Sequence, residues 1–338
     1  MELPYHVAYV PPDSRFASKV SGNEALNFAA HNAFVGVGVP DLIDGTIKFV
    51  QGVNDKGLTF ALLAYASSDG PPDMVRKTRA VLNAIDLGAW TLGQFASVAE
   101  VKAALERQPV ISAALLPLDV LKTPFHYTLH DVTGASIVIE FANGKEQVHD
   151  NPVGVMTNGP EFQWHMTNLD NYTFFTNKDQ SSLSIAGRQF NQPDSGIATV
   201  GLPASNTSVG RFVRATYYAH FAEKARTPEA ALYTLAHVMN NFDRPRGITI
   251  DNRLYDGLAN IAAPGVTGEW LYSSEYTSWT ALTDIRRRLL HIRVYDGINY
   301  VRFNVDELVR RSGSIPRTAA LKSMTGAPDG TEALLAAK

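Results

Sequence analysis

Cysteine does not occur among the 338 residues. Disulfides, thiolate metal sites and cysteine nucleophiles are therefore excluded within residues 1–338. Long apolar runs are missing as well. No stretch approaches the length of a membrane span, and no signal peptide opens the chain. No membrane association is expected, and a cytoplasmic location is; any export signal would lie upstream of Met1. Dense charge of one sign is scarce. The net charge is −3, with Lys and Arg interspersed among Asp and Glu, so there is no nucleic-acid footprint. Arg286-Arg287-Arg288 is the one dense basic patch, and before a strand it reads as a solvated turn. A Gly-rich phosphate loop, a His-Glu-x-x-His zinc pattern and a Gly-x-Ser-x-Gly elbow are all absent. Neither a metal nor a cofactor is expected.

What is present is apolar patterning, with hydrophobic residues at 45%, enough for one large core or two modest ones. Strands are expected at His6–Val10, Ala33–Val39, Thr46–Val50 and Leu58–Tyr65. Gly52-Val53-Asn54-Asp55-Lys56-Gly57 is a hairpin-type turn between the last two. Leu58–Tyr65 is apolar on both faces, so it is covered on both sides. Helical spacing of Val75, Val81, Leu82, Ile85, Ala89 and Leu92 predicts a helix over Met74–Leu92. Ser97-Val98-Ala99-Glu100 is a capping box that starts a second helix, ending near Glu106. His126–His130, Ser136–Phe141 and Glu146–His149 form a meander, extended by a strand into Asn158. The chain is polar and irregular from Leu169 to about Thr199. Ser208 caps a helix from Val209 to about Phe221, and Thr227-Pro228 starts another to about Met239. Ile248–Ile250, Trp270–Tyr272, Tyr276–Leu282, Leu289–Tyr295 and Tyr300–Val305 read as strands. From Ser312 a frayed tail is expected. Two-sided strands with paired helices argue for an α+β fold, antiparallel sheets lying between helical layers.

One stretch stands out, Val153 to Leu169. It is expected to open as a strand, Val153–Met156, and to break at Asn158-Gly159-Pro160. A neutral amide at that break can donate to a developing oxyanion without competing for protons. Asn before Gly is also an ordinary turn residue. Arg211 lies at the start of a helix, where the N-terminus is already partly positive. A carboxylate partner at a site is one reason for it to be there; a surface Arg with its head in water is the plainer reading. His126, His130, His149 and His165 lack a third ligand at metal-site spacing and read as structural or surface histidines. Trp164, Trp270 and Trp279 read as core or pocket-wall aromatics.

Val155-Met156-Thr157-Asn158-Gly159-Pro160, Phe162-Gln163-Trp164-His165 and Thr167-Asn168-Leu169 resemble the choloylglycine hydrolases. That is the family of penicillin V acylases and bile salt hydrolases, linear-amide C–N hydrolases of the N-terminal-nucleophile class. Gly52–Leu58 is similar to the family's Asn-Glu-Lys-Gly-Leu turn. His126-Tyr127-Thr128, with Asp131, Gly134 and Ser136–Glu140, is similar to its central hairpin. Gly201-Leu202-Pro203, Ser208 and Arg211-Phe212-Val213-Arg214 resemble its Gly-Leu-Pro-Gly-Asp…Ser-Arg-Phe segment, with Ala204-Ser205 in place of Gly-Asp. Tyr276-Thr277 and Tyr295-Asp296 resemble its last strands. The likeness covers nearly all of residues 1–310, and Glu161–His165 looks closer to the penicillin V acylases.

The resemblance implies a four-layer αββα sandwich over residues 1–311, with residues 312–338 a flexible tail. It implies a small-molecule N-acyl amide substrate: penicillin V, a conjugated bile acid or an N-acyl homoserine lactone. It implies a homo-oligomer, dimer or tetramer. Carried over, Asn158 matches the oxyanion-hole amide and Arg211 the Arg that organises the nucleophile. Ala64 matches the position whose backbone N–H completes the oxyanion hole. Tyr65, Phe162 and Trp164 are the implied substrate-contacting residues. The family's nucleophile is an N-terminal Cys whose own α-amine, titrating near about 7.7–8, shuttles the proton. A hairpin then leads to Arg-x-Met-Asp or Arg-x-Met-Glu, the source of a catalytic Arg and Asp. Met1-Glu2-Leu3-Pro4 and Tyr9-Val10-Pro11 match a point after that segment. The expectation is a chain that begins beyond the nucleophile hairpin and is inactive as it stands. The alternatives are a ligand-binding pseudoenzyme and, less favoured, a nucleophile released by autoproteolysis within residues 1–50.

Overall fold

The computed structural model describes residues 3–41, 45–65, 68, 80–112, 125–252, 272–325 and 329–337. Two-sided burial begins at once. In β1 (His6–Val10), Val7 and Tyr9 enter one core while Ala8 and Val10 enter another. β2 (Arg15–Ser18) and β3 (Glu24–Ala29) pair as antiparallel neighbours. β4 (Phe34–Pro40), β5 (Ile47–Asn54) and β6 (Thr59–Ala64) form a meander. β5 runs on to Asn54, further than expected. Asn54 Oδ1 then accepts from the amides of Lys56 and Leu58 at 3.0 and 2.9 Å, and Gly57 closes the turn at φ +82°.

The helix expected over Met74–Leu92 is corrected. Residues 74–79 lie outside the described residues, and the chain next forms a strand, β7 (Ala80–Asn83). Val81 and Leu82 pair in parallel, with β3 on one side and β8 (Val110–Ile111) on the other. Their apolar spacing fits a helix, but tertiary pairing overrides it. Helical turning starts only once the Asn83 side chain accepts from Ile85 N, and it leads into α1 (Leu87–Gln94). α2 (Val98–Leu105) has the reciprocal cap at its start: Glu100 N donates to Ser97 Oγ at 3.2 Å, and the Glu100 carboxylate accepts from Ala96 N at 2.7 Å.

β9 (Phe125–His130), β10 (Ser136–Ala142) and β11 (Lys145–Asp150) form the expected meander. Its expected extension, Val153–Met156, is not a strand. Pro152 offers no donor, Gly154 sits at φ +65°, and Asn151 Nδ2 donates to Val155 O at 3.2 Å, so the segment turns. The next elements are α3 (Phe162–Asn168) and a hairpin of β12 (Ser182–Ile185) and β13 (Arg188–Asn191), within a segment expected to be irregular. α4 (Ser208–Phe221) is capped by Thr207 rather than Ser208, with Gly210 N donating to Thr207 Oγ1 at 3.1 Å. α5 (Pro228–Asn240) begins at the expected Thr227 cap. β14 (Ile250–Asn252) pairs with β15 (Tyr272–Ser274), while Trp270 lies outside the described residues. The chain continues with β16 (Trp279–Asp284), β17 (Leu289–Val294), β18 (Val301–Asn304) and α6 (Val305–Ser312). Last come β19 (Arg317–Ala320) and α7 (Gly330–Leu335).

The main sheet has eight antiparallel strands in the order β11, β10, β9, β6, β5, β4, β1, β19. One face packs against α1 and α2 through Phe34, Phe49, Phe60, Tyr127, Ile137 and Ile139. α1 approaches so closely that a Cβ on Gly88 would lie 2.7 Å from Phe49 O. The other face, at β1 and β4, packs through Val7, Tyr9, Val35 and Val37 on the three-stranded sheet β16–β18. α5 covers that sheet at β16. Helix, sheet, sheet, helix is the resulting order. At β10 the same face carries a smaller core of Val138, Val155, Phe162 and Phe212, which seats α3 and α4.

The frayed tail expected from Ser312 is also corrected. β19 pairs antiparallel with β1, Leu321, Met324 and Leu334 are buried, and Arg317 donates to Ala337 O at 2.8 Å. Small residues here fit a tight edge, and the isolated apolar ones close a core.

Candidate active site

Residues 157–162 are held from both sides. Three consecutive carbonyls each receive a donor. His126 Nε2 donates to Thr157 O at 2.6 Å, His165 Nε2 to Asn158 O at 2.9 Å, and the Ser208 hydroxyl to Gly159 O. Thr157 Oγ1 donates in turn to Ser208 O at 3.0 Å, tying the loop to the start of α4. The Gly159–Pro160 peptide is cis. On the other side of His126, Nδ1 lies 3.0 Å from Glu140 Oε1. The Ile139–Tyr127 register sets these two side by side on the β9–β10 pair, and both are fully buried. Glu140 also accepts from Phe162 N at 3.0 Å.

The Asn158 side chain sits near the start of this loop, half-buried. Oδ1 accepts from the Arg211 guanidinium at 2.7 Å, and Nδ2 donates to Ala64 O at 2.7 Å. Both partners fix the amide orientation, because a guanidinium only donates and a carbonyl only accepts. One Nδ2 hydrogen is used and a second remains. Asn158, Arg211 and Ala64 thus lie together, at the end of β6, the 157–162 loop and the first turn of α4.

Arg211 finds an amide rather than the carboxylate considered from sequence. Its Nε donates to Asn206 O at 3.0 Å. Burial, with nearby Arg244 adding to it, brings the guanidinium down to about 10, against the opposing pull of Glu275. It stays charged at neutral pH. Arg214, one helical turn on, is buried and donates to Pro203 O and Ser205 O at 2.6 Å each. That gathers the Gly201–Thr207 segment, so the Ala204-Ser205 turn is closed by a side chain.

Tyr65 is buried and stacks on His126, centroids 4.9 Å apart and 5° between planes. Its hydroxyl is held protonated by burial, with Glu161 and Glu140 adding to the effect. Phe162 is fully buried against Val138, Val155 and Phe212, whereas Trp164 is exposed on α3. His165 is buried, lies flat on Phe212 at 4.5 Å, and burial lowers its pKa. Among the described residues no three His, Asp or Glu side chains cluster as metal ligands, and no helix is long and apolar enough to cross a membrane. His126 and His165, expected to be structural or surface histidines, are structural and buried, whereas Glu140 was not nominated from sequence. One signal was available: Glu140 is a lone acid inside Ile137-Val138-Ile139-Glu140-Phe141, and such a group needs a buried partner.

The profile of the linear amide C–N hydrolases, choloylglycine hydrolase family, matches residues 6–310. The chain is 29% identical over 245 residues to a bile salt hydrolase/transferase of Clostridium perfringens, which covers 72% of each chain. It is 26% identical over 269 residues to a penicillin V acylase of Pectobacterium atrosepticum, covering 75% of this chain and 65% of that one. Its fold matches the crystal structure of a variant conjugated bile acid hydrolase from Clostridium perfringens with a TM-score of 0.77 at 20% identity, over 97% of this chain and 92% of the other. The helix, sheet, sheet, helix order is therefore the N-terminal-nucleophile hydrolase sandwich. By the span of that profile, the chain belongs to the choloylglycine hydrolase family of linear amide C–N hydrolases.

Proposed function

We propose that Asn158, Ala64 and Arg211 form the oxyanion and nucleophile-positioning centre of a hydrolase for N-acyl amides. Penicillin V and conjugated bile acids are the first substrates to test; N-acyl homoserine lactones are the alternative. The observation that carries this reading is the amide of Asn158, clamped between Arg211 and Ala64 O at 2.7 Å each. Arg211 turns Oδ1 towards itself, which leaves one Nδ2–H for the oxygen of a tetrahedral intermediate. The Ala64 N–H is the second donor. The charged guanidinium organises the nucleophile beside it. Trp164 faces the substrate, and Tyr65 and Phe162 shape the pocket from beneath.

A second reading is favoured by the absence of cysteine from all 338 residues: a homologue that binds N-acyl compounds without turning them over. Residues 1–338 are expected to leave penicillin V and glycocholate intact, because no thiol is present to form an acyl-enzyme. The catalytic reading expects turnover once an N-terminal hairpin that opens on Cys and carries Arg-x-Met-Asp is joined to the chain. Asn158→Ala should then lower kcat by about 10²–10³. Thiol-independent turnover that survives Asn158→Ala would point to a different mechanism. Ligand binding without turnover in the extended chain would support the second reading.

The chain is further proposed to self-associate as a dimer or tetramer through the β12–β13 hairpin. There Leu183, Ile185 and Phe190 are 59%, 56% and 47% exposed, an apolar surface rarely left uncovered.

A further inference from the structure

We propose that Glu140 and His126 are positioning residues for Asn158: a buried carboxylate–imidazole pair that sets both ends of the loop carrying the amide. The assignment rests on the oxyanion reading of Asn158. Its geometry is specific. Through His126, Glu140 fixes the Thr157 carbonyl, one residue before Asn158. Through a direct bond it fixes Phe162 N, the start of α3 beyond Asn158. A single fully buried carboxylate therefore defines the span 157–162 from both directions. Tyr65, stacked on His126, ties the same pair to the residue next to Ala64.

A role in stability alone explains this poorly. Two ionisable groups removed from water gain little over a well-packed apolar pair, so a buried pair is weak as a stabiliser. What it supplies is direction. Nε2 must carry a hydrogen to face the Thr157 carbonyl, and a second proton shared between Nδ1 and Glu140 Oε1 holds the ring in that orientation. The lone acid of β10 is thus placed where an amide must be held to a fraction of an ångström.

Hydrogen exchange of the Asn158 side-chain amide tests this on the full chain, with asparagine labelled with nitrogen-15 and Asn158→Ala assigning the signal. The Nδ2 proton bonded to Ala64 O should exchange slowly. His126→Leu should speed its exchange by about tenfold or more, the scale of one lost hydrogen bond that closes the loop. His126→Gln, whose amide reaches the Nε2 position, should restore protection. Ile139→Val, in the core under α1 and α2, should lower the melting temperature and leave Asn158 protected. Should His126→Leu fail to fold, Glu140→Gln should loosen Asn158 in its place. Unchanged exchange in the folded His126→Leu or Glu140→Gln variant overturns the proposal, as does no rescue by His126→Gln. Failure of the oxyanion reading looks different: exchange responds as described, but Asn158→Ala spares turnover in the Cys-extended chain.

Discussion

Two helical regions of this protein are buried to opposite degrees. Every residue of α1 from Leu87 to Gly93 is buried, against the eight-stranded sheet. In α5 no residue is buried, and Tyr233 and Leu235 are 68% and 37% exposed. The β12–β13 hairpin is exposed throughout. Precision is stored where buried contact holds the backbone. Local stability follows buried apolar contact, so the main sheet and α1 form a rigid frame while α5 and the hairpin are free to open. The candidate site lies on the seam. Asn158 is anchored to the frame through His126 and Glu140, and Arg211 reaches it from α4.

Truncations on the two sides should not cost the same. Leu92→Ala in α1 is expected to lose about 2–5 kcal/mol, since a void opens under a fully buried side chain. Leu235→Ala in α5 should lose less than about 1 kcal/mol. Denaturant melts of the two variants under one buffer decide it, and equal midpoints would remove the distinction.

A change on the exposed side sharpens the contrast. Leu183→Ser with Phe190→Ser should leave the melting temperature nearly unchanged but lower the assembly state seen by sedimentation. Assembly that persists in this double variant would exclude the hairpin as the contact.

The smallest effect concerns pH. Burial lowers the pKa of His130, His165 and His291 from 6.5. Unfolded, each takes a proton near 6.5; folded, each resists it to lower pH. The unfolded chain therefore binds more protons below about 6.5, and stability falls as pH drops from 7 through 6.5 towards the folded values. His165→Gln keeps a donor for Asn158 O and cannot titrate. Its melting temperature should fall less steeply between pH 7 and 5 than that of the parent chain. An unchanged slope would mean that His165 takes up its proton equally in the folded and the unfolded chain.

Where local chemistry suffices, the elements were legible from residues alone. The Ser97 and Thr227 caps, the Asn54–Gly57 turn and the β9–β11 meander depend on neighbours in sequence. The 80–83 segment was not legible in this way. Its spacing fits a helix, and only β3 and β8 on either side make it a strand. Val153–Met156 failed for the opposite reason: apolar content suggested pairing, but Pro152 and Gly154 leave no ladder to join.

Residue identity alone fixes which side chains could serve at the site: a neutral amide at a Gly-Pro break, an arginine at a helix start, and no thiol among residues 1–338. It also determined the layered class, because strands apolar on both faces must be covered twice. Tertiary structure alone decided that Asn158 and Arg211 meet at 2.7 Å across 53 positions of chain. It likewise decided that the lone acid of β10 and a histidine of β9 lie beneath the loop between them, and that residues 317–320 close the sheet edge at β1. The physical reason is range. Caps, turns and periodicity act over a few residues, whereas which strand lies beside which is set by burial shared across the whole chain.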